Sequence, residues 1–533
     1  MKKRSVALFA ACCVLFFGIM MRVYSLMVQD DMIQAGDRQS SHTVTVAAVR
    51  GTIYDTQLRP LVNAQCENRY SVFPDSQTVS ALTASLTREE LDPITERLTG
   101  QTPFVFSLDR LLPLSNGLRV FSVPVRYESR TIASHVIGYL ASDGHGVSGA
   151  ESVFDEVLSA ATGEASVTYR VDGAGDWLVG DTVTKRDTLD AADAGVVLTI
   201  DRDVQTIAER VADASLSKGA VVVMSPSNGH VLAMVSRPDF EPTAVADVLN
   251  RTDAPLINRA LVQYNCGSVF KIVTSAAALE SGVSYTAQFT CLGSVDVGDV
   301  TFGCHHALGH GPLDMFGGFA QSCNPYYIAL ADRIGSRTLY EMAQTLGFTR
   351  SLTIAPNWQT DSANLPSLTT LESPAALANL AFGQGELLAT PMHIAQLVAT
   401  VVNRGRIVSP TIFKGYVDAS GRVNEEELAP FGYAFSATTA AMLKQMMIEV
   451  VENGLGASAK PQSGSAGGKT GTAQTGRVGE NGEELLQNWF AGFYPAVSPK
   501  YVVVVVSEDY ASTGSAAAPV FREICEQLKD VEN

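Results

Sequence analysis

Lys2-Lys3-Arg4 stand directly before an apolar run from Ser5 to Met21, and beyond Arg22 the apolar character resumes from Val23 to Val28. The uninterrupted part is at the short end of the ~17–25 residues with which a helix crosses a bilayer. A chain with such a start has to fold the rest of itself on one side of a membrane. The basic cluster ahead of the span predicts a cytoplasmic tail over 1–4, a transmembrane signal-anchor over 5–27, and everything after Met27 outside. No small-x-small cleavage site follows, so the run reads as an uncleaved anchor. The rival is a lipoprotein signal ending at Cys12, since Phe9-Ala10-Ala11-Cys12 loosely resembles a lipobox. The apolar run before Cys12 is short, however, and Phe9 fits that pattern poorly. No other segment is both long and apolar enough to cross.

At 533 residues the chain exceeds what one hydrophobic core organises, so two or three domains are expected. Hydrophobic residues at 46% against 17% charged exclude a mostly disordered or fibrous chain. A net charge of −17 argues against nucleic acid as a partner, because phosphate binding needs a basic face. Eight cysteines are too few for a disulfide-built scaffold.

Residues 45–190 read as mixed strands and short helices, with a charged helical stretch from Thr87 to Leu98. The polar segment Lys185–Gly195 reads as a boundary, which divides the chain into a pedestal over 28–190 and a second domain over 191–533. There, Val196–Ile200 reads as a strand and Asp201 as the N-cap of a helix from Val204 to Leu216. Two apolar runs, Ala220–Met224 and His230–Val235, flank Asn228-Gly229 and predict a hairpin. A helical region from Ser268 through Thr400 is broken by a loop between Phe289 and Gly311. Strands follow at Gly467–Ala473, Trp489–Tyr494 and Tyr501–Ser507, then a helix over Pro519–Leu528. Two early strands and three late ones around a helical block predict one antiparallel sheet built from both ends of the domain.

Three short motifs stand in order in this second half. In Ser268-Val269-Phe270-Lys271 the two polar residues are neighbours on a helix face, so the amine can reach the hydroxyl and, if buried, serve as its base. Ser322-Cys323-Asn324 precedes Pro325 and by itself reads as a turn or cap. In Lys469-Thr470-Gly471-Thr472 a strand would put both threonines on one face, with Gly471 leaving room for close approach to the backbone. Each motif alone is common. The ordered set resembles the signature of the penicillin-recognising serine acyltransferases, and over nearly the whole chain that of the class B penicillin-binding proteins, the monofunctional peptidoglycan transpeptidases of cell division and elongation. Arg50-Gly51-Thr52-Ile53-Tyr54-Asp55, Ser134-His135-Val136-Ile137-Gly138-Tyr139 and Gly149-Ala150-Glu151 resemble motifs of that family's non-catalytic domain. Phe382-Gly383-Gln384-Gly385, Thr390-Pro391 and Trp489-Phe490-Ala491-Gly492 resemble segments that flank its site. After Asp55 the family usually carries Arg-Asn-Gly; here Thr56-Gln57-Leu58 stands instead.

The resemblance implies an anchor helix, an α+β pedestal of the dimerisation type, and a transpeptidase domain with a five-stranded antiparallel sheet flanked by helices and a helical subdomain. It implies Ser268 as the nucleophile on a D-Ala-D-Ala carbonyl and Lys271 as the acceptor of its proton. Ser322 would relay a proton to the leaving D-alanine, and Asn324 would orient the lysine and the substrate amide. Lys469 would supply a positive field, Thr470 and Thr472 would bond the substrate carboxylate, and the N–H groups of Ser268 and Thr472 would form the oxyanion hole. The implied partners are stem peptides, β-lactams as covalent inhibitors, and a multi-spanning membrane glycosyltransferase; no cofactor or metal is implied.

Other readings compete. A D,D-carboxypeptidase or β-lactamase would use the same scaffold, but Glu372 with Leu377 and Asn379 has the wrong spacing for a class A deacylating Glu. A non-catalytic β-lactam-binding scaffold is a third. Gly464–Thr470 imitates a phosphate loop but has Ser463 where a Gly is needed. Cys291, Cys304, His305, His306 and His310 mix zinc-type ligands in no familiar spacing, and Cys291 with Cys304 is a candidate disulfide. Cys266 and Cys323 read as packing residues.

Overall fold

The computed structural model describes residues 2–27, 40–172, 176–178, 183–427, 432–479, 482–510 and 516–531. The N-terminal run forms one helix, α1 (Lys2–Met27), long and apolar enough to cross a membrane. Val28, the end of the predicted apolar run, lies outside the described residues, as do 28–39 of the expected pedestal. By contacts the chain divides into two compact units, each of which it enters more than once. The first is Met1–Gly51, Asn63–Arg126 and Ala161–Asp193; the second is Thr52–Val62, Tyr127–Ala160 and Ala194–Asn533. The sequence suggests a single cut near residue 190. By contacts, Thr52–Val62 and Tyr127–Ala160 group with the later residues instead.

In the first unit, Ser41–Val49, Gly163–Arg170 and Thr184–Asp187 make an antiparallel sheet, and Gln65–Val72 pairs with both Phe104–Ser107 and Leu118–Val125 in another. The charged stretch after Thr87 is helical only in pieces. Thr87 and Glu90 form a capping box, but Pro93 offers no N–H, and a 3-10 turn over Asp92–Ile94 separates Arg88–Leu91 from Thr95–Leu98.

The second unit is built on five strands: β1 (Gly219–Met224), β2 (Val231–Arg237), β3 (Gly467–Val478), β4 (Glu484–Tyr494) and β5 (Tyr501–Tyr510). Their order is β2-β1-β5-β4-β3, all antiparallel, so the two ends of the domain do meet in one sheet. The run Val502–Val506 explains the middle. Val502, Val504 and Val506 face one core with Val222 and Ala491, while Val503 and Val505 face another with Val221, Phe521 and Ile524. A strand covered on both faces needs an unbroken apolar run. Helices α2 (Arg202–Ser215) and α7 (Ala517–Val531) cover one side. Asp201 caps α2 as expected, accepting from the N–H groups of Asp203 and Val204.

On the other side lie α3 (Lys271–Glu280), α4 (Asn324–Ile334), α5 (Pro391–Val402) and α6 (Ala437–Glu452). Helix α5 is buried along nearly all its length, and α6 packs on β3. Several details differ from the sequence reading: a short strand pair, Thr353–Ala355 with Trp358–Gln359, interrupts the expected helical region, and β4 starts at Glu484. Strand β3 runs on to Val478, past the polar stretch expected to end it, with a bulge between Gln474 and Arg477. The segment expected as a loop from Phe289 to Gly311 holds two hairpin-like pairs, Phe289–Cys291 with Gly311–Leu313 and Ser294–Val297 with Val300–Gly303. The signal was present: Gly298-Asp299 joins two alternating runs, a two-residue hairpin connection.

Candidate active site

Ser268 lies on a 3-10 turn, Gly267–Phe270, that leads into α3, so Lys271 opens the helix one turn beyond it. The turn sits against β3. Gly267 has φ +54, and a Cβ there would stand 2.6 Å from the carbonyl oxygen of Thr472. A Cβ on Gly471 would meet the Cys266 oxygen at 2.8 Å. Any side chain at either position would push the Ser268 turn away from the strand. Ser268 is half-buried, and its hydroxyl has no hydrogen-bond partner among the described residues.

Lys271 does not bond Ser268; it reaches across to the second motif. Its Nζ lies 2.6 Å from the Ser322 carbonyl oxygen, 3.1 Å from Ser322 Oγ and 2.8 Å from Asn324 Oδ1. Lys469 Nζ approaches the same hydroxyl from the other side, 2.9 Å from Ser322 Oγ, and lies 3.1 Å from the Thr470 oxygen. Ser322 Oγ is therefore bridged by two amines, 51 and 147 residues away along the chain. Ser322 has φ +49, a left-handed conformation uncommon outside glycine that turns its side chain between them.

Both lysines are fully buried, and neither has a carboxylate partner among the described residues. Burial costs the charged form. It pushes Lys271 well down, and repulsion from Lys469 adds to this. Burial lowers Lys469 to about 7. What steadies the amines is hydrogen bonding and two ring faces, Tyr327 at 5.4 Å from Lys271 and Phe319 at 5.7 Å from Lys469. The site thus brings together two buried amines, both with pKa values lowered by burial, on one hydroxyl.

The edge of the sheet supplies the remaining groups. Strand β3 is outermost, and Gln384 Nε2 donates to the Thr472 oxygen at 3.3 Å. On an antiparallel strand a residue's N–H and C=O point the same way, so the Thr472 N–H also faces outward, toward the Ser268 turn. Thr470 is half-buried and Thr472 exposed, while Gly471 and Ala473 are buried between. Trp489 Nε1 donates to the Asn265 oxygen at 2.9 Å and fastens β4 behind the turn. All eight residues picked from sequence therefore lie on the 3-10 turn with α3, the 322–324 turn, or β3.

Sequence reasoning missed Tyr327, which lies under Lys271 and bonds Ser275 through its hydroxyl at 2.7 Å, and Phe319 under Lys469. Only the three-residue spacing from Asn324 to Tyr327, about one helical turn, hinted at the first. The imitation phosphate loop runs into β3, where a helix would be required. All eight cysteines are free thiols, so Cys291 and Cys304 are not bridged. Cys323, expected to be a packing residue, has its sulfur in a cluster with Cys291, Cys304 and His310.

A family model of the penicillin-binding protein transpeptidase domain matches residues 219–526. The chain belongs to this family. The penicillin-binding domain so defined holds all three motifs and all five strands of the central sheet. Stage V sporulation protein D of Bacillus subtilis is 32% identical over 417 residues, 75% of this chain and 62% of that protein. Penicillin-binding protein PbpB of Mycolicibacterium smegmatis is 32% identical over 431 residues, 76% of this chain and 65% of that protein. The chain thus spans 62–65% of the length of these curated relatives. Among solved structures, penicillin-binding protein 3 of Mycobacterium tuberculosis, complexed with aztreonam, matches with a TM-score of 0.67 at 25% identity, covering 92% of this chain and 97% of that one.

Proposed function

We propose that the chain is a membrane-anchored peptidoglycan D,D-transpeptidase acting through a Ser268 acyl-enzyme. The observation that carries this is the Ser322 hydroxyl bridged by Lys271 and Lys469, with no carboxylate paired to either amine among the described residues. Ser268 Oγ attacks the carbonyl of a D-Ala-D-Ala terminus, and its proton passes to Lys271, whose pKa burial pushes well down toward the neutral form. Ser322 carries a proton on to the leaving amine as the C–N bond breaks. Lys469, with Thr470 and Thr472, holds the substrate carboxylate in place of the missing counter-ion. The N–H groups of Ser268 and Thr472 receive the oxyanion. An acceptor amine then attacks the ester carbonyl, and Ser268 recovers its proton. Exchange of one amide for another needs no external energy source.

Helix α1 is the anchor, and Lys2-Lys3-Arg4 keep its start in the cytoplasm with the folded units outside. No described segment resembles a glycosyltransferase, so a multi-spanning polymerase is the natural partner. Against a β-lactamase stands Glu372, which is exposed on a 3-10 turn ahead of the helix Pro374–Ala381.

Intact-mass spectrometry of the purified protein after incubation with a penicillin tests the reading. A long-lived adduct mapping to Ser268, absent in Ser268→Ala, is expected. An adduct that clears within minutes would turn the assignment to a hydrolase. An adduct that persists in Ser268→Ala would remove Ser268 as nucleophile.

A further inference from the structure

Four side chains beside the lysine pair have no part in acyl transfer. Cys291 closes the strand Phe289–Cys291, Cys304 follows Val300–Gly303, His310 precedes Gly311–Leu313, and Cys323 caps α4. One ligand atom from each lies within 4.8 Å of all the others, and Cys304 Sγ is 3.4 Å from His310 Nδ1. Ligands held tetrahedrally at ~2.3 Å for sulfur and ~2.0 Å for nitrogen stand roughly 3.5 Å apart. The cluster therefore has the donor set and nearly the dimensions of a closed zinc site.

The surrounding lobe is only lightly packed, through side chains such as Phe289, Phe302 and Leu313. Across 289–313 only Cys291, Gly293 and Phe302 are buried, and Leu292 and Leu308 are exposed. Paired strands of three or four residues are marginal alone in water.

We propose that Cys291, Cys304, His310 and Cys323 bind one Zn2+ in a closed Cys3His site that pins the hairpin lobe to the Ser322-Cys323-Asn324 turn. Four protein ligands leave no open position, so the ion is structural and takes no part in bond breaking. Its effect on the reaction comes through Cys323. That residue lies between Ser322 and Asn324, the two residues that grip Lys271. With its sulfur fixed on the metal, the backbone is held where Ser322 keeps its left-handed φ and its hydroxyl stays between the amines. Sequence concealed the site because Cys323 joins from a separate motif, while His305 and His306 next to Cys304 are not in the ligand set.

The metal site stands independently of the proposed activity; only the positioning of the turn rests on it. The test is elemental analysis of the full-length protein purified in detergent, together with Cys304→Ser and His310→Ala, both at half-buried positions. One zinc per chain in the wild type is expected, falling at least tenfold in each variant. Exchange with Co2+ should give the visible absorption of tetrahedral thiolate coordination. A wild-type protein that takes up no zinc when reduced and offered it would overturn the site, as would a Cys291–Cys304 disulfide in protein isolated without reductant. Full zinc retention in both variants would do the same. For the positioning role, removing the metal should slow acylation by a fluorescent penicillin about tenfold, and restored zinc should recover it. Unchanged acylation without zinc would discard that role. Failure of the zinc-loaded protein to acylate would count against the transpeptidase reading and leave the metal site intact.

Discussion

Ser322 is the residue on which the site turns, because its strained backbone places one hydroxyl within reach of two buried amines. The amines' differing environments predict a bell-shaped pH profile for β-lactam acylation. In the proposed reaction Lys271 must be neutral to take a proton, and burial with repulsion from Lys469 lowers its pKa well below the usual lysine value, which favours that form. Lys469 must be charged to hold a carboxylate, and burial lowers it to about 7. Above that value its charge is lost, so the second-order acylation rate should fall about tenfold per pH unit. Stopped-flow acylation from pH 5 to 9 measures this, and Lys469→Arg, which stays charged, should lose the falling limb even if its rate is lower. A different residue-scale prediction concerns Leu58. Its φ is +63, where the family usually has glycine, and the turn is held by Asp55 accepting the N–H groups of Gln57 and Arg59. Leu58 is 40% exposed and outside the core, so Leu58→Gly should relieve strain at modest packing cost and stabilise by about 1 kcal/mol, read from the urea midpoint.

At the scale of elements, the strand Val502–Val506 was legible because a strand between two covered faces admits little but β-branched residues. Truncating Val504→Ala should cost about 2 kcal/mol, whereas Val497→Ala in an exposed loop should change stability by less than about 0.5 kcal/mol. Thermal unfolding of both variants checks the contrast. The cap Asp201 and the hairpin of β1 and β2 were also readable, since each rests on contacts a few residues apart in sequence. The extension of β3 to Val478 was not. Its polar residues carry no strand signal, and its pairing comes from β4, whose Glu484–Gln487 stand opposite.

Across the whole molecule the second unit depends on segments far upstream. Thr52–Tyr54 pairs in parallel with Gly195–Leu198, and the Ala133 N–H donates to the buried Glu209 carboxylate at 2.6 Å. A chain beginning at residue 191 would lose that strand and leave the carboxylate with one fewer donor, a loss of roughly 1–3 kcal/mol for the latter alone. Such a fragment should melt well below the full chain by calorimetry; an unchanged melting temperature would show the upstream segments to be dispensable. By itself the sequence determined the apolar span, the acidic multi-domain character, the five strands of the central sheet and the three motifs, because each is encoded within a few neighbouring residues. Only the tertiary structure decided that Lys271 bonds Ser322 and Asn324 and leaves Ser268 free. The same holds for Thr52–Val62 and Tyr127–Ala160 joining the second unit, and for Cys323 meeting three ligands from another lobe. These are contacts between residues tens to hundreds of positions apart, set by how the packed faces meet and unmarked in any local pattern.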